Sequence, residues 1–277
     1  MKDIATLTTT KYILNKYNLN ALKKFGQNFL IDANIVNKIV AQANINKSIA
    51  VIEVGPGIGA LTQILARHAG KVICFEIDER FKPVYDEFLN VDNVEIIFGD
   101  FIKQELEPII EKLKQDYSQV YLVANLPYYI TTPIILSIIE SRVDVKEMVF
   151  MVQKEVAERF SAKPGTKEYG SISVLLNYHF DIKKLFDVSR TKFYPIPNVD
   201  SSVIKLVKKD NVLPVDFEKF NKLVKDSFQY KRKNIRNNLK SYDLNKVESV
   251  LTKYGYSLSS RSEELSYEIF VELANTI

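Results

Sequence analysis

Short apolar runs alternate with helix-like stretches between residues 49 and 123, and this alternation constrains the fold more than any other feature of the chain. The four runs cover residues 50–54, 72–75, 94–98 and 120–123, and each is rich in β-branched side chains. Strands that are buried on both faces have this nearly continuous apolar character. Strand–helix–strand alternation is typical of parallel strands joined by right-handed crossovers. The pattern therefore predicts a doubly wound α/β sheet.

Three further strand candidates extend the predicted sheet beyond residue 123. They cover residues 147–152, 174–180 and 202–207, and a helix is predicted over 154–160. The sequence therefore predicts about seven strands. The first connecting helices are predicted over 60–68 and 78–89.

The character of the chain changes after residue 209. No strand-like run follows, and apolar side chains recur at helical spacing in two stretches, 217–228 and 244–251. We therefore predict a basic, loosely ordered N-terminal extension (1–20), an α/β domain (21–209) and a small helical domain (210–277).

The numbers of cysteines and histidines exclude several classes of chemistry. Cys74 is the single cysteine among 277 residues, which excludes a disulfide framework and a cysteine-rich zinc site. The two histidines, His68 and His179, leave too few ligands for a metal cluster or a histidine-based triad. The N-terminus lacks a signal-peptide core, and no apolar run reaches about 18 residues. We expect a metal-free, monomeric protein of the reducing cytoplasm without membrane contact.

Positive charge is concentrated in two places, although the formal net charge is only +4. The first cluster comprises Lys2, Lys11, Lys16, Lys23 and Lys24. The second comprises Lys231, Arg232, Lys233, Arg236 and Lys240, with no acidic residue between positions 231 and 240. Local clusters of this kind on a nearly neutral chain indicate contact with a polyanion. The alternative is that these cations belong to solvated helix faces.

Polar residues follow four of the predicted strands at the point where each strand ends. Gly55 opens a Gly-Pro-Gly-Ile-Gly turn after the first strand, and Glu76, Asp100 and Asn125 end the next three. A carboxylate after the second strand can accept both hydroxyls of a ribose. The glycine spacing differs from the G-x-G-x-x-G of dinucleotide-binding proteins. We therefore predict a nucleoside site without a phosphate clamp, at the carboxyl edge of the sheet.

The segment Asn125-Leu126-Pro127-Tyr128 indicates chemistry on an exocyclic amine. The lone pair of such an amine is delocalised into the base, so an enzyme must hold the amine with acceptors alone. The Asn125 side-chain oxygen and the Leu126 carbonyl can accept, and Pro127 contributes no backbone donor. Tyr128 offers a ring on which a flipped base can stack.

Several motifs together resemble the ribosomal RNA adenine dimethyltransferases that modify two adjacent adenosines near the end of small-subunit rRNA. The resemblance runs from about residue 23 to 274. The motifs are Phe25-Gly26-Gln27-Asn28-Phe29-Leu30, the Glu53 to Gly59 turn, Asn125-Leu126-Pro127-Tyr128, Gln153-Lys154-Glu155-Val156, Phe193-x-Pro195-x-Pro197 and Val199-Asp200-Ser201. The resemblance implies a Rossmann-like class I S-adenosylmethionine-dependent methyltransferase with a small all-helical C-terminal domain. Its implied substrate is 16S rRNA in the small ribosomal subunit or its precursor.

The resemblance also assigns roles to particular positions. It implies that S-adenosylmethionine is held by Asn28, Leu30, Gly55, Glu76, Asp100 and Asn125. It implies that Phe193 packs on the target adenine opposite Tyr128, beside Asn125, Leu126 and Pro127. It implies RNA contacts by the basic residues of the segment 228–239, which are Lys231, Arg232, Lys233 and Arg236.

Three other functions remain open at this level. The first is methylation of large-subunit (23S) rRNA by the related enzymes that confer macrolide resistance, which Pro56, Leu126 and Pro133 disfavour. The second is a non-catalytic RNA-binding assembly factor on the same fold, which the intact Asn125 and Tyr128 disfavour. The third, a dinucleotide-dependent dehydrogenase, is disfavoured by the glycine spacing.

Overall fold

The computed structural model describes residues 3–141 and 143–277, so Lys2 of the N-terminal basic cluster lies outside the described residues. The chain divides into two compact units. The first comprises Met1–Lys154 and Lys183–Val207, and the second comprises Glu155–Ile182 and Lys208–Ile277.

The regular elements are numbered in chain order. The strands are β1 (Phe29–Leu30), β2 (Ile49–Val54), β3 (Lys71–Glu76), β4 (Val94–Phe98), β5 (Gln119–Asn125), β6 (Glu147–Gln153), β7 (Phe180–Val188), β8 (Phe193–Tyr194) and β9 (Ser201–Lys208). The helices are α1 (Leu7–Lys16), α2 (Ala33–Gln42), α3 (Ala60–His68), α4 (Lys82–Phe88), α5 (Leu106–Asp116), α6 (Thr131–Glu140), α7 (Lys154–Phe160), α8 (Ser171–His179), α9 (Phe217–Ser227), α10 (Ile235–Asn238), α11 (Leu244–Lys253) and α12 (Tyr267–Thr276).

Seven strands form one sheet in the order β4-β3-β2-β5-β6-β9-β7. The pairs β2–β3, β2–β5, β3–β4 and β5–β6 are parallel, and β9 runs antiparallel to β6. All six residues of β2 are buried, as expected for the central strand of a sheet that is covered on both faces. The predicted α/β fold with about seven strands is confirmed. A separate two-stranded ribbon pairs β1 with β8.

One strand prediction is wrong. Residues 174–179 belong to the helix α8, and the strand β7 begins at Phe180. Most of α8 is buried, and the apolar run at residues 174–176 lacks the periodicity that separates a helix from a buried strand. In β7, exposed polar residues interrupt the more buried ones, so the strand shows no continuous apolar run in the sequence.

The described part of the N-terminal extension, residues 3–20, is ordered, in contrast to the prediction. Helix α1 begins after Thr6, whose side chain accepts a hydrogen bond from the Thr9 backbone N–H. Ile4 and Ile13 are fully buried, and the Ile4 backbone N–H donates to the Gln63 side chain at 3.1 Å. This segment therefore belongs to the core of the first unit.

The second unit is built from helices. Helix α12 contacts α8, α9 and α11, and no strand follows Lys208 within the described part of the chain. Residues 155–182 cluster with these helices. The sequence analysis had placed them in the α/β domain, which it ended at residue 209. The reason is that the buried apolar side chains of α8 pack against α9 and α12.

Residues 3–141 and 143–277 contain neither a membrane-spanning helix nor a metal-binding cluster. No helix there combines the length and the apolar character that a membrane crossing requires. Within the same residues, no group of three or more His, Cys, Asp or Glu side chains could hold a metal ion.

The burial of α1 leads to a test of its contribution to stability. Ile13→Ala should lower the free energy of unfolding by about 2–5 kcal/mol, because it removes buried methyl groups and leaves a cavity. Thr8→Ala is the matched control, since Thr8 is exposed on the same helix. Urea denaturation of both variants measures the difference. Equal stabilities would mean that the N-terminal helix is not part of the cooperative core.

Candidate functional site

A cleft of about 800 Å³ lies at the carboxyl edge of the sheet in the first unit. Its wall includes eight of the residues singled out from the sequence, namely Asn28, Leu30, Gly55, Glu76, Asn125, Leu126, Pro127 and Tyr128. The parallel pairing of β2 with β3 and β5 brings their carboxyl ends together. Strand β1 of the two-stranded ribbon adds Phe29 and Leu30 to the lining.

The glycine turn lets the backbone form one side of this cleft. Gly55 and Gly57 have φ angles of +69° and +59°, which residues with side chains rarely adopt. A Cβ atom at Gly57 would lie 3.3 Å from the Phe29 ring, so only glycine leaves this approach open. Helix α3 begins directly after the turn, at Ala60.

Glu76 ends β3 and its carboxylate is 4% exposed. The backbone N–H groups of Gly57 and Asp78 donate to its two oxygens at 3.0 and 2.8 Å. Burial raises the pKa of Glu76 to about 7, against the opposing effect of these hydrogen bonds. The carboxyl group is therefore held in a fixed orientation and titrates near neutral pH.

A second buried carboxyl group, Glu53, also lines the cleft. Burial raises its pKa to about 8, and the Cys74 thiol donates to its Oε2 at 3.6 Å. Two acids in one desolvated site favour ligands that carry positive charge or donate hydrogen bonds.

Asp100 lies in a neighbouring cavity of about 360 Å³ rather than in the larger cleft. The apolar walls of this cavity include Ile77, Phe101 and Ile102, and four residues, Gly55, Ile77, Pro127 and Tyr129, line both cavities. The Asp100 side chain also accepts from the Ile102 backbone N–H at 3.1 Å, so it caps a short turn. Asp100 therefore both caps a turn and lines this cavity.

Asn125 stands at the end of β5, where its amide nitrogen donates to the Asn28 carbonyl oxygen at 3.4 Å. This assignment directs the amide oxygen of Asn125 toward an acceptor role. Leu126 is buried, and its backbone N–H donates to Met151 on β6 at 3.0 Å. The backbone that carries the predicted acceptors is therefore tied to the sheet.

The Tyr128 ring is fixed by a hydroxyl pair that the sequence did not reveal. Its phenolic oxygen lies 2.6 Å from the Ser201 hydroxyl oxygen, and Ser201 is fully buried at the start of β9. Burial raises the pKa of Tyr128, so the phenol stays protonated at neutral pH. Tyr128 thus lines the cleft while its hydroxyl group is paired with Ser201.

Phe193 is not brought to the cleft wall. It pairs with Leu30 in the ribbon of β1 and β8 and is 1% exposed, within the hydrophobic core. A stacking role for Phe193 stays a prediction.

The second basic cluster lies in the second unit, around the loop between α9 and α10. Lys231, Arg232, Lys233 and Arg236 are all exposed, and the Lys231 ammonium group donates to the Lys167 carbonyl oxygen at 3.0 Å. In the N-terminal cluster, by contrast, Lys16 forms an ion pair with Glu87. The loop after α9 is therefore the better candidate for binding a polyanion.

The sequence analysis assigned no role in the site to three residues that contribute to it. Tyr129 lines both cavities and is 53% exposed. The Tyr85 hydroxyl donates to the Gly57 carbonyl oxygen at 2.7 Å and so supports the glycine turn. Ser201 holds Tyr128, as described above. Tyr129 follows the Asn-Leu-Pro-Tyr segment directly and could have been found by that position, whereas no local signal marks Tyr85.

The chain matches the family model described as ribosomal RNA adenine dimethylase over residues 18–277. Among curated proteins it is 45% identical to ribosomal RNA small subunit methyltransferase A of Bacillus cytotoxicus, over all of this chain and 98% of that protein. The protein of the same description from Bacillus mycoides is 44% identical, again over all of this chain and 98% of that protein.

Two solved structures share the fold over nearly the whole chain. A dimethyladenosine transferase from Plasmodium falciparum gives a TM-score of 0.72 at 28% identity, covering 88% of this chain and 95% of that one. The 23S rRNA methyltransferase ErmE gives 0.71 at 26% identity, covering 90% and 99%. The match over residues 18–277 and the full-length similarity to the Bacillus proteins together lead to one conclusion: this chain is a member of the ribosomal RNA adenine dimethylase family and a methyltransferase.

Proposed function

We propose that this enzyme transfers methyl groups from S-adenosylmethionine to the 6-amino groups of two adjacent adenosines. The proposed target is the 3′-terminal hairpin loop of 16S rRNA, in the small ribosomal subunit or its precursor. This substrate would place the reaction in the cytoplasm.

The observation that carries the proposal is the acidic character of the two joined cavities. Glu53, Glu76 and Asp100 line them, and no Lys or Arg occurs among their described lining residues. A dinucleotide needs cationic or backbone contacts to its phosphates, whereas the methyl donor has a ribose, an adenine and a positive sulfonium without any phosphate. The donor set of this site therefore fits S-adenosylmethionine.

The proposed contacts follow from the shape of the two cavities. Glu76 would accept hydrogen bonds from the ribose hydroxyls. The narrower cavity would hold the adenine between Ile77 and Ile102, with Asp100 as acceptor for its amino group. Asn28, Leu30 and Gly55 would contact the remaining part of the donor in the larger cleft. When bound, S-adenosylmethionine supplies a methyl group that an amine can take from the sulfonium by in-line displacement.

The segment from Asn125 to Tyr128 would hold the target base. The Asn125 amide oxygen and the Leu126 carbonyl oxygen would accept hydrogen bonds from the N–H groups of the amine, which leaves the nitrogen lone pair directed at the methyl group. Pro127 would fix the backbone directly after these two acceptors, and the Tyr128 ring would stack on the base. The amine loses a proton to water once it is alkylated, so no histidine base is required.

The curated relatives favour the small-subunit substrate over the large-subunit one. The relatives that are 44–45% identical carry small-subunit names, whereas the 23S rRNA methyltransferase ErmE is 26% identical. The two substrates are distinguished by incubating the protein with radiolabelled S-adenosylmethionine and unmethylated small subunits, large subunits, free 16S rRNA or free 23S rRNA. We expect label in dimethyladenosine of 16S rRNA, and none with Asn125→Ala. Label in 23S rRNA, or donor binding without transfer, would contradict the proposal.

Donor affinity should depend on pH through Glu76. Its pKa of about 7 means that the free enzyme must release a proton before the ribose hydroxyls meet an ionised carboxylate. Affinity should therefore rise with pH up to about 7, by at most about tenfold per pH unit, and then level off. The Glu76→Gln variant should bind the donor more weakly, and its affinity should no longer show the rise with pH that comes from Glu76.

Calorimetry between pH 6 and 8 measures this effect. Glu95→Gln is the matched control, because Glu95 is exposed on the neighbouring strand β4 and paired with Lys71. If the donor affinity of the wild-type protein does not change with pH, the proposed contact between Glu76 and the ribose is wrong.

The basic loop should control the salt dependence of RNA binding. Replacing Lys231, Arg232, Lys233 and Arg236 with Ala should weaken rRNA binding without changing donor affinity. Each lost phosphate contact should reduce the slope of log K against log salt by about 0.7–0.9. The control replaces the exposed Lys82, Lys103, Lys112 and Lys114 of the first unit, which changes the net charge equally. Filter binding at several salt concentrations compares the loop variant with this control. Equal slopes would mean that the loop makes no phosphate contacts.

The pair of Tyr128 and Ser201 allows ring stacking to be separated from hydroxyl chemistry. Tyr128→Ala should cost about 1–3 kcal/mol of base stacking, whereas Tyr128→Phe keeps the ring. Tyr128→Phe leaves the buried Ser201 hydroxyl without its partner, which costs about 1–3 kcal/mol of stability, and adding Ser201→Ala should restore much of it. Single-turnover kinetics and thermal unfolding measure both effects. If Tyr128→Phe is as inactive as Tyr128→Ala, the hydroxyl itself takes part in the reaction.

A further inference from the structure

The segment from residue 20 to residue 28 contributes one wall of the cleft without belonging to the sheet. Phe25, Gly26, Gln27 and Asn28 line the cleft, and the segment contains only a single short 3₁₀ turn at Lys23–Phe25. A segment of this kind needs contacts with the rest of the protein to hold one conformation.

Those contacts meet on the carboxylate of Asp78, which is 4% exposed. Gln27 donates to Oδ2 at 2.7 Å, and Arg80 donates to Oδ1 and Oδ2 at 2.8 and 2.6 Å. Burial alone would raise the pKa of Asp78, but the hydrogen bonds from Arg80 and Gln27 outweigh it and hold the pKa below its usual range. The carboxylate therefore stays charged and the contacts are charge-assisted.

Two of these side chains also hold the backbone of the segment. The Gln27 side-chain oxygen accepts from the Leu22 backbone N–H at 2.8 Å. One Arg80 nitrogen donates to the Asn20 carbonyl oxygen at 3.3 Å. The segment is thus attached near its start and near its end to a single buried carboxylate.

Asp78 connects this attachment to the donor site. Its backbone N–H donates to the Glu76 carboxylate at 2.8 Å, while its side chain holds Gln27. None of the three side chains of Gln27, Asp78 and Arg80 has a hydrogen bond to Asn125 or Tyr128 among the contacts of the described residues.

We propose that Gln27, Asp78 and Arg80 are positioning residues that hold the 20–28 segment against the donor site and thereby set how fast the methyl donor enters and leaves. This inference rests on the proposed function for the identity of the donor. Two methyl groups on each of two adenosines consume one donor per transfer, so the spent donor must leave and a new one enter repeatedly. The strength of this attachment governs that exchange and leaves the transfer step itself unchanged.

The test separates donor exchange from transfer. Radiolabelled S-adenosylmethionine is bound to the purified protein without RNA, and its release is followed after a chase with unlabelled donor. Single-turnover methylation of unmethylated small subunits is measured in parallel at saturating donor, together with KM and kcat. The variants are Gln27→Ala and Arg80→Ala, and Asp78→Asn keeps the shape of the carboxyl group in case Arg80→Ala fails to fold.

Gln27→Ala and Arg80→Ala should each release the donor about tenfold faster and raise its KM, because each loses a charge-assisted hydrogen bond. The single-turnover rate at saturating donor should stay at the wild-type value. The double variant should show less than the product of the two single effects, since both side chains act through Asp78. Arg67→Ala is the matched control, because Arg67 forms an exposed ion pair with Asp3.

Release rates within twofold of the wild type in both single variants would overturn the inference. A tenfold fall in the single-turnover rate would also overturn it, since these residues would then act on the transfer step. The proposed function fails separately, when the wild-type protein does not methylate small subunits. Donor release is measured without RNA and decides the inference independently of that outcome.

Discussion

The candidate site depends on the parallel pairing of β2 with both of its neighbours. Val54 lies opposite Phe75, and Ile52 lies opposite Leu122, so β2, β3 and β5 end at the same edge of the sheet. Gly55, Glu76 and Asn125 are far apart in the chain, yet this register places all three on one cleft. All of β2 is buried, and a shift by one residue would move each of its side chains to the opposite face of the sheet, so packing on the two faces specifies the register.

Burial gives this edge its chemical character. Glu53 and Glu76 lose hydration, which raises the pKa of each, and hydrogen bonds from backbone N–H groups to Glu76 and from the Cys74 thiol to Glu53 oppose this loss in part. Such a site attracts ligands that donate hydrogen bonds or carry positive charge. Cations are concentrated instead in the exposed loop at 231–236 of the second unit, where a polyanion can be bound. Carboxyl side chains thus line the cleft of the first unit with no Lys or Arg among its described lining residues, whereas four cationic side chains lie around the loop that follows α9 in the second unit.

Much of the fold could be predicted because buried strands and helices place apolar residues in recognisable patterns along the sequence. The strands β2, β3, β4 and β5 match the predicted apolar runs closely, and α3, α7, α9 and α11 follow helical spacing. The prediction failed at α8, which is buried on nearly all sides and has no amphipathic period to detect. It failed again at the N-terminus, where lysines on the exposed side of α1 obscured the buried Ile4 and Ile13.

The sequence by itself determined the order of the strands along the chain, the polar residues at their ends and the motifs of the family, because these are properties of residue type and spacing. Only the tertiary structure decided that Ser201 is the partner of Tyr128, that Phe193 lies in the core and that Gln27 meets Arg80 on Asp78. The contacts of Tyr128 with Ser201 and of Gln27 with Asp78 join residues that are distant in sequence. Their geometry follows from how the elements pack, which leaves no local pattern along the chain.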